Sequence, residues 1–406
     1  MPVNLWQPSP QSPTIHGFSY TSTTLNGEAG VPQQSEVLSL TGLRFVSAFY
    51  VFLFHIHMRW PLTQEPWLKG LLDVGAVGMS VFFILSGFLL CLKYHAIEGR
   101  VADYFVNRLA RIYPIYFVAG LVTLPWLNIP LGEGLEANLM AIWKMLFIFV
   151  ANLFVIQAWI PPLFSHWNNG GSWSISVEIF CYFLLPLIIP FLARLPRKGV
   201  IAVLALTYLF GLMFSLAGKL YPSYGIPVFY AMPIFRLPEF IVGVCVCLLL
   251  KDLGRVRGLW LAQSLLIALL CWYLGNYAVA MPYYVGHNWL VVPVIAFVIG
   301  SLFLGGGPLD WLLSRPLFVW LGKISYCFYS FQALVLLFLI DHHDALVARF
   351  PVFNDNHMLA LAAFVVLTLL SALGFYFIEE PSRKWVRRKW KSRGQREVGQ
   401  PVADPA

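Results

Sequence analysis

Apolar residues in this chain come in long unbroken runs rather than in the alternation of half-buried elements. Runs of 16 to 24 residues occupy positions 40–58, 71–92, 112–127, 138–157, 173–193, 199–217, 233–250, 258–276, 289–305, 317–340 and 358–378. About 20 apolar residues in a helix cross a hydrocarbon core. Backbone in lipid must hydrogen-bond within its own segment, so each run is predicted as a helix. Residues 1–36 are different: rich in Pro, Ser, Thr, Gln and Gly, with no apolar run. They are predicted to be a disordered cytoplasmic tail without the charged start and hydrophobic centre of a signal peptide.

The polar stretches between runs order them across the membrane. Lys and Arg concentrate in 93–111, 194–198, 251–257 and after 380, which places those segments on the cytoplasmic side, while the acidic loop Asp341 to Asp355 falls outside. An even number of crossings must separate two cytoplasmic segments, yet three runs lie between Arg111 and Arg194. One of them is therefore predicted not to cross. The choice is 138–157, which holds Lys144, Asn152 and Gln157 and leads into the Pro-, Asn- and Gly-rich IPPLFSHWNNGGS; it is expected to be re-entrant or interfacial. The expectation is an all-α polytopic membrane protein, a bundle of about ten transmembrane helices with both termini cytoplasmic. It divides into the tail 1–36, a transmembrane domain 37–380 and a basic cytoplasmic tail 381–406.

Composition agrees. The 406 residues are 59% hydrophobic and 11% charged, with mean hydropathy +0.72, whereas soluble domains carry about 25% charged residues. A net charge of +8 would suit a nucleic-acid partner, but Arg383 to Arg396 alone contains eight Lys and Arg. The excess is a tail effect suited to anionic lipid, and no nucleic-acid partner is expected. The six cysteines sit in or beside apolar runs without metal or redox spacing and read as small buried hydrophobes. No internal repeat of the kind found in many transporters stands out.

Ionisable residues at membrane depth are costly and mark functional positions. In LTGLRFVSAFYVFLFHIHMRW, Arg44 and His55 lie eleven residues apart, which is three helical turns plus roughly 20° and a rise of about 16 Å. They share one face, Arg44 near the inner end and His55 near the outer; His57 points elsewhere. Ser172, Ser174 and Glu178 open another run, with Ser174 and Glu178 on one face together with Tyr182. Ser172 could simply cap that helix and Glu178 be satisfied by a neighbour. The predicted topology, however, puts Glu178 at the depth of His55, where a carboxylate would orient an imidazole acting as general base. Arg108 and Arg111 share a face of a helix entering from the cytoplasm. They are either plain positive-inside anchors or a phosphate site for a donor such as coenzyme A. Arg236 and Glu239, three residues apart, read as a structural ion pair. His342 and His343 point apart in DHHD, and no metal site is expected there.

Seven ordered stretches now fall into place: LTGLRFVSAFYVFLFH, FFILSGFLL at 82–90, FVNRLARIYPIY at 105–116, SWSISVEIFCYFLLP at 172–186, FRLPEFIVG at 235–243, LGKISYCFYSF at 321–331 and IEEPSRKW at 378–385. Together they resemble the acyltransferase-3 family of integral membrane acyltransferases, which modify bacterial surface polysaccharides and, in some members, macrolide antibiotics. The resemblance implies O-acyl transfer, with acyl-CoA, here acetyl-CoA, as co-substrate and no permanently bound cofactor. It also implies a carbohydrate or glycosylated acceptor, and a bacterial inner-membrane location. His55 is implied as the catalytic residue, with importance for Arg44, Arg108, Arg111, Ser172 and Glu178. The expected arrangement has His55 as base or acyl carrier, Glu178 orienting it, and Ser172 and Ser174 hydrogen-bonding substrate or oxyanion. Arg108, Arg111 and Arg44 meet the donor. Many members place a histidine after SYxxY, where this chain has Gln332. The rival readings are a secondary transporter using Arg44, His55 and Glu178 as a relay, and a scaffold that would tolerate loss of His55.

Overall fold

A computed structural model describes residues 37–94, 101–127, 129, 134–280 and 284–397. The tail expected at 1–36 and the last residues of the basic tail, 398–406, lie outside the described residues. The elements follow in order as α1 (Leu38–Arg59), α2 (Pro66–Asp73), α3 (Gly78–Tyr94), α4 (Val101–Val122), α5 (Leu135–Leu153), α6 (Trp173–Leu192), α7 (Arg197–Leu220) and α8 (Gly225–Phe229). Then come α9 (Pro233–Leu250), α10 (Leu259–Tyr277), α11 (Asn288–Leu304), α12 (Pro308–Leu313), α13 (Pro316–Arg349), α14 (Asn356–Gly374) and α15 (Glu380–Glu397). Among the described residues there is no strand.

Ten of the described helical segments are long and apolar enough to cross a membrane: α1, α3, α5, α6, α7, α9, α10, α11, α13 and the α14–α15 rod, joined through a π-helical turn at Phe375–Glu379. The number matches the expectation, but the membership differs. The stretch expected to be re-entrant is one continuous helix, α5, which qualifies, whereas α4 does not, because it carries Asp103, Arg108 and Arg111. Two of the three polar residues that argued against a span, Asn152 and Gln157, bond to neighbours, while Lys144 is exposed. Asn152 is fully buried, donates to Ile148 O and accepts from Tyr116 Oη, and Gln157 Nε2 donates to Ser172 O.

Two further boundaries move. Helix α13 runs through Arg349, so the expected loop from Asp341 begins as two more helical turns. There His342 stacks on Phe338 and His343 on Trp60. The expected C-terminal tail is helical to Glu397, and α15 lies against α4, with Trp390 Nε1 donating to Asp103 Oδ1 at 2.5 Å.

Helices α1, α3, α9, α11 and α13 supply most of the core, while α5, α7 and α10 present largely exposed apolar faces, as helices against lipid do. The core pairs pack backbone to backbone. A Cβ added at Gly87 would stand 2.0 Å from Phe240 O, and one at Gly243 only 1.9 Å from Ile84 O, so α3 and α9 meet where only hydrogen fits. Small residues permit this approach in membranes, where lipid is as apolar as the helices and close packing must supply the attraction. Helices α1, α13 and α14 are locked by a cluster of phenylalanines, Phe45, Phe49, Phe52, Phe328 and Phe364, with ring centroids 5.2–6.4 Å apart.

Candidate active site

Three helices bring the expected residues inward. On α1, Arg44 and His55 share a face. On α6, Ser174, Glu178 and Tyr182 follow at intervals of four, and on α13, Tyr326, Tyr329 and Gln332 follow at intervals of three; both spacings keep side chains on one stripe. A cavity opens between these helices and α3 and α4. Its polar lining is Arg44, Ser86, Arg108, Arg111, Glu178, Tyr182 and Tyr326. A second void shares Arg44, Phe82, Glu178 and Tyr326 with the first and leads on to Ser174 and Tyr329.

The charges lining the first cavity are unbalanced. Arg44, Arg108 and Arg111 form no ion pair with any described residue, and Arg108 Nε is buried without a hydrogen-bond partner. Arg108 lies over the Tyr94 ring, 5.7 Å from its centroid. Glu178 is the one carboxylate in the lining, and its Oε2 accepts from Tyr182 Oη at 3.1 Å. Glu379, in the π-helical turn, is within Coulomb range of Arg111 and Arg44, but its Oε2 accepts from Cys327 Sγ. Outside the lining, positive charge is added by Lys93, within Coulomb range of Arg108 and Arg111, and by Arg383 and Arg387, within Coulomb range of Lys93. The last two come from α15, a contribution that the sequence offered only as a basic tail.

His55 is half-buried and belongs to a different group. Its Nδ1 stands 3.1 Å from Gln332 Oε1, and Gln332 Nε2 donates to Ala48 O at 3.1 Å. Gln332 is one turn of α13 beyond Tyr329, so His55 continues the line of the second void. Glu178 does not orient His55, contrary to expectation: its partner is Tyr182 and its surroundings are the arginines. The depth argument failed because helix tilt and packing, which charge counts do not reveal, decide which side chains meet. Ser174 Oγ donates to Tyr329 Oη at 3.0 Å and lines the second void. Ser172 stands outside both linings: at the N-cap of α6 its Oγ donates to Trp167 O instead of capping, and it pins the loop before the helix.

Arg236 and Glu239 form the expected ion pair, at 3.0 Å, with Asn288 Nδ2 donating to Glu239 Oε1 and Arg236 Nη2 donating to Ser80 Oγ. Phe83, Trp173 and Tyr230 enclose the guanidinium, with ring centroids 5.0–6.0 Å away. Phe83 also lines the second void, so this network holds one of its walls.

The sequence named the three arginines, His55, Ser174 and Glu178; it did not pair them. Ser86 and Tyr182 went without a role, although the i,i+4 step from Glu178 to Tyr182 was a usable signal. Gln332 stood out only as a departure from a family pattern.

Comparison with known proteins agrees with the geometry. The family described as an acyltransferase domain matches residues 37–377. The chain is 27% identical to acyltransferase MdmB of Streptomyces mycarofaciens over 75% of this chain and 80% of that one. It is 28% identical to nodulation protein 10 of Rhizobium leguminosarum bv. viciae over 84% and 92%. It is also 24% identical to the putative peptidoglycan O-acetyltransferase YrhL of Bacillus subtilis, over 85% of this chain and 54% of that protein. No solved structure matches. Matched along most of its length, and built as a bundle of apolar helices with a polar cavity among them, the chain belongs to the acyltransferase-3 family and is an integral membrane enzyme that transfers acyl groups.

Proposed function

We propose that the enzyme moves an acetyl group from acetyl-CoA, bound from the cytoplasm, to a carbohydrate hydroxyl of a surface polysaccharide, lipid-linked sugar or glycosylated small molecule, in the inner membrane of a bacterium. The observation that carries the donor is the unpaired trio Arg44, Arg108 and Arg111 around one cavity, with Lys93 and Arg387 within Coulomb range of Arg108. Buried cations without counter-charges are unfavourable by themselves. A polyanion supplies the missing charge, and guanidinium groups suit phosphate because they bind it bidentately. The related peptidoglycan O-acetyltransferase, by its name, supports a carbohydrate acceptor and an acetyl group.

In this reading the phosphates sit at Arg108 and Arg111, with the α15 arginines beside them. The thioester arm passes Arg44 and Tyr326 toward Tyr329 and Ser174. His55 Nε2 takes the acceptor's hydroxyl proton as that oxygen bonds to the thioester carbonyl carbon. The carbon–sulfur bond then breaks, and the coenzyme A thiolate leaves with the proton that His55 returns. Ser174 donates its hydroxyl hydrogen to Tyr329 Oη, which leaves the Tyr329 hydroxyl to donate to the reacting carbonyl. Glu178 offsets part of the arginine charge and holds Tyr182, and Ser172 keeps the loop before α6 in place.

The test is purified enzyme in nanodiscs with radiolabelled acetyl-CoA, alongside mass spectrometry of glycans from cells lacking the gene. The expected results are a lost acetyl mass in the cells and no transfer by His55→Ala, which still inserts and binds donor. Undiminished transfer by that variant would remove His55 from the chemistry, and substrate accumulation independent of acyl-CoA would favour transport. Sidedness is checked with reporter tags. The N-terminus and the end of α15 should report cytoplasmic and a tag near Asp344 external; opposite sides for the termini would mean that α4 and α5 both cross.

A further inference from the structure

The inference concerns how His55 is oriented, and it rests on the proposed role of that residue as the base. A neutral imidazole has two tautomers, and the useful one is decided by what the other ring nitrogen bonds. Here the partner is an amide, whose oxygen and nitrogen ends are interchangeable in shape but not in hydrogen bonding. One end faces His55 Nδ1 at 3.1 Å and the other faces Ala48 O at 3.1 Å. A backbone carbonyl can only accept, so the amide nitrogen must face Ala48. Its oxygen therefore faces His55, and an amide oxygen can only accept. Nδ1 must then carry the hydrogen.

We infer that Gln332 is a positioning residue: anchored through Ala48 O, it fixes the His55 ring as the Nδ1–H tautomer and leaves Nε2 with the free lone pair. The anchor and the ligand lie on the same helix. Ala48 and His55 are seven residues apart on α1, two turns, so they present to one face. Gln332 reaches across from α13, and its side chain, 3% exposed, has no room to turn. The amide spans both contacts, so moving the proton from Nδ1 to Nε2 would set two lone pairs against each other and lose the bond to Gln332. No carboxylate takes part in this pair. Glu178, the expected orienting group, is engaged with Tyr182. The pair is thus a neutral amide–imidazole dyad. A histidine in place of Gln332 could bond Nδ1 in either sense, according to its own tautomer, whereas the anchored glutamine allows one.

Two measurements test this. Nitrogen-15 NMR of histidine-labelled protein in nanodiscs, with the His55 signals identified by their absence in His55→Asn, should show a protonated Nδ1 and an unprotonated Nε2. The reverse tautomer in the parent overturns the inference even if every variant is inactive. The second is kinetic. Gln332→Leu removes both contacts and should lower kcat by about 10- to 100-fold, the range seen when groups orienting a functional histidine are removed, with the KM for acetyl-CoA unchanged. Gln332→Glu keeps an oxygen for Nδ1–H and should retain more of kcat than Gln332→Leu. Parental kcat in Gln332→Leu overturns the inference. If His55→Ala retains transfer while the NMR shows Nδ1–H, the catalytic reading fails and the tautomer assignment stands, so the two are separable.

Discussion

Two places in this protein bury arginine inside the helical bundle, and they do so in opposite ways. Where α3, α6 and α9 meet, Arg236 is 1% exposed, ion-paired to Glu239, hydrogen-bonded to Ser80 and enclosed by three aromatic rings. Where α1, α4 and α6 meet, Arg44, Arg108 and Arg111 border open space and pair with no described carboxylate. The first arrangement pairs its charges with each other at 3.0 Å, although Arg236 Nε and Glu239 Oε2 have no hydrogen-bond partner of their own. The second leaves positive charge unspent beside a cavity, which is the condition for binding an anion. Burial alone therefore does not distinguish structural from functional arginine; the partners do.

Breaking the paired site should give the largest effect. Arg236→Ala leaves Glu239 buried without its cation, which typically costs about 3–5 kcal/mol. The expected outcome is a large drop in the thermal midpoint of the detergent-solubilised protein. Replacing both partners, Arg236→Met with Glu239→Leu, should recover most of it, because the penalty comes from the orphaned charge. A midpoint unmoved by Arg236→Ala would mean that the pair is not structural.

The unpaired site should respond in the other direction. Arg108→Ala or Arg111→Ala removes a charge that forms no ion pair, so the thermal midpoint should move far less than in Arg236→Ala. Donor binding should weaken by roughly 10- to 150-fold, the scale of a charge-assisted contact of about 1.5–3 kcal/mol. Lysine at either position should rescue only part of this, since it lacks the planar fork. Donor affinity equal to the parent in both variants would reduce these residues to topology anchors.

A smaller effect sharpens the contrast. Glu178→Gln removes the one carboxylate from the cavity lining while keeping an acceptor for Tyr182. Donor affinity should rise, by less than the arginine variants lose, and turnover should change little. A collapse of turnover at unchanged affinity would return Glu178 to the chemistry of His55.

Much of this protein was legible before any coordinates. Apolar run length is a nearly local property, and several helices coincide with their runs: α9 at Pro233–Leu250 and α6 at Trp173–Leu192 reproduce the expected 233–250 and 173–193 closely. Periodicity likewise put Arg44 with His55 and Arg236 with Glu239, because both members of each pair lie on one helix. What the sequence left out has a common origin. The re-entrant reading of 138–157 rested on polar residues, two of which find partners on other segments, Asn152 with Tyr116 and Gln157 with Ser172. Glu178 was assigned to His55 on depth, although contact between helices depends on tilt and rotation. The basic C-terminal segment was treated as a tail, because nothing in its own sequence says that it packs on α4.

The division follows from the physics of membranes. Lipid obliges each segment to satisfy its own backbone, so the sequence by itself determined which stretches are helices and which face of each carries polar groups. Lipid does not specify which helix packs against which. That was decided by the tertiary structure, through hydrogen-only contacts such as Gly87 with Phe240 O and Gly243 with Ile84 O. The same packing carried Gln332 on α13 across to His55 on α1, 277 positions earlier in the chain. It also set Glu178 among the arginines, because a side chain's partner is fixed by the helix that packs beside it and not by its own neighbours in sequence.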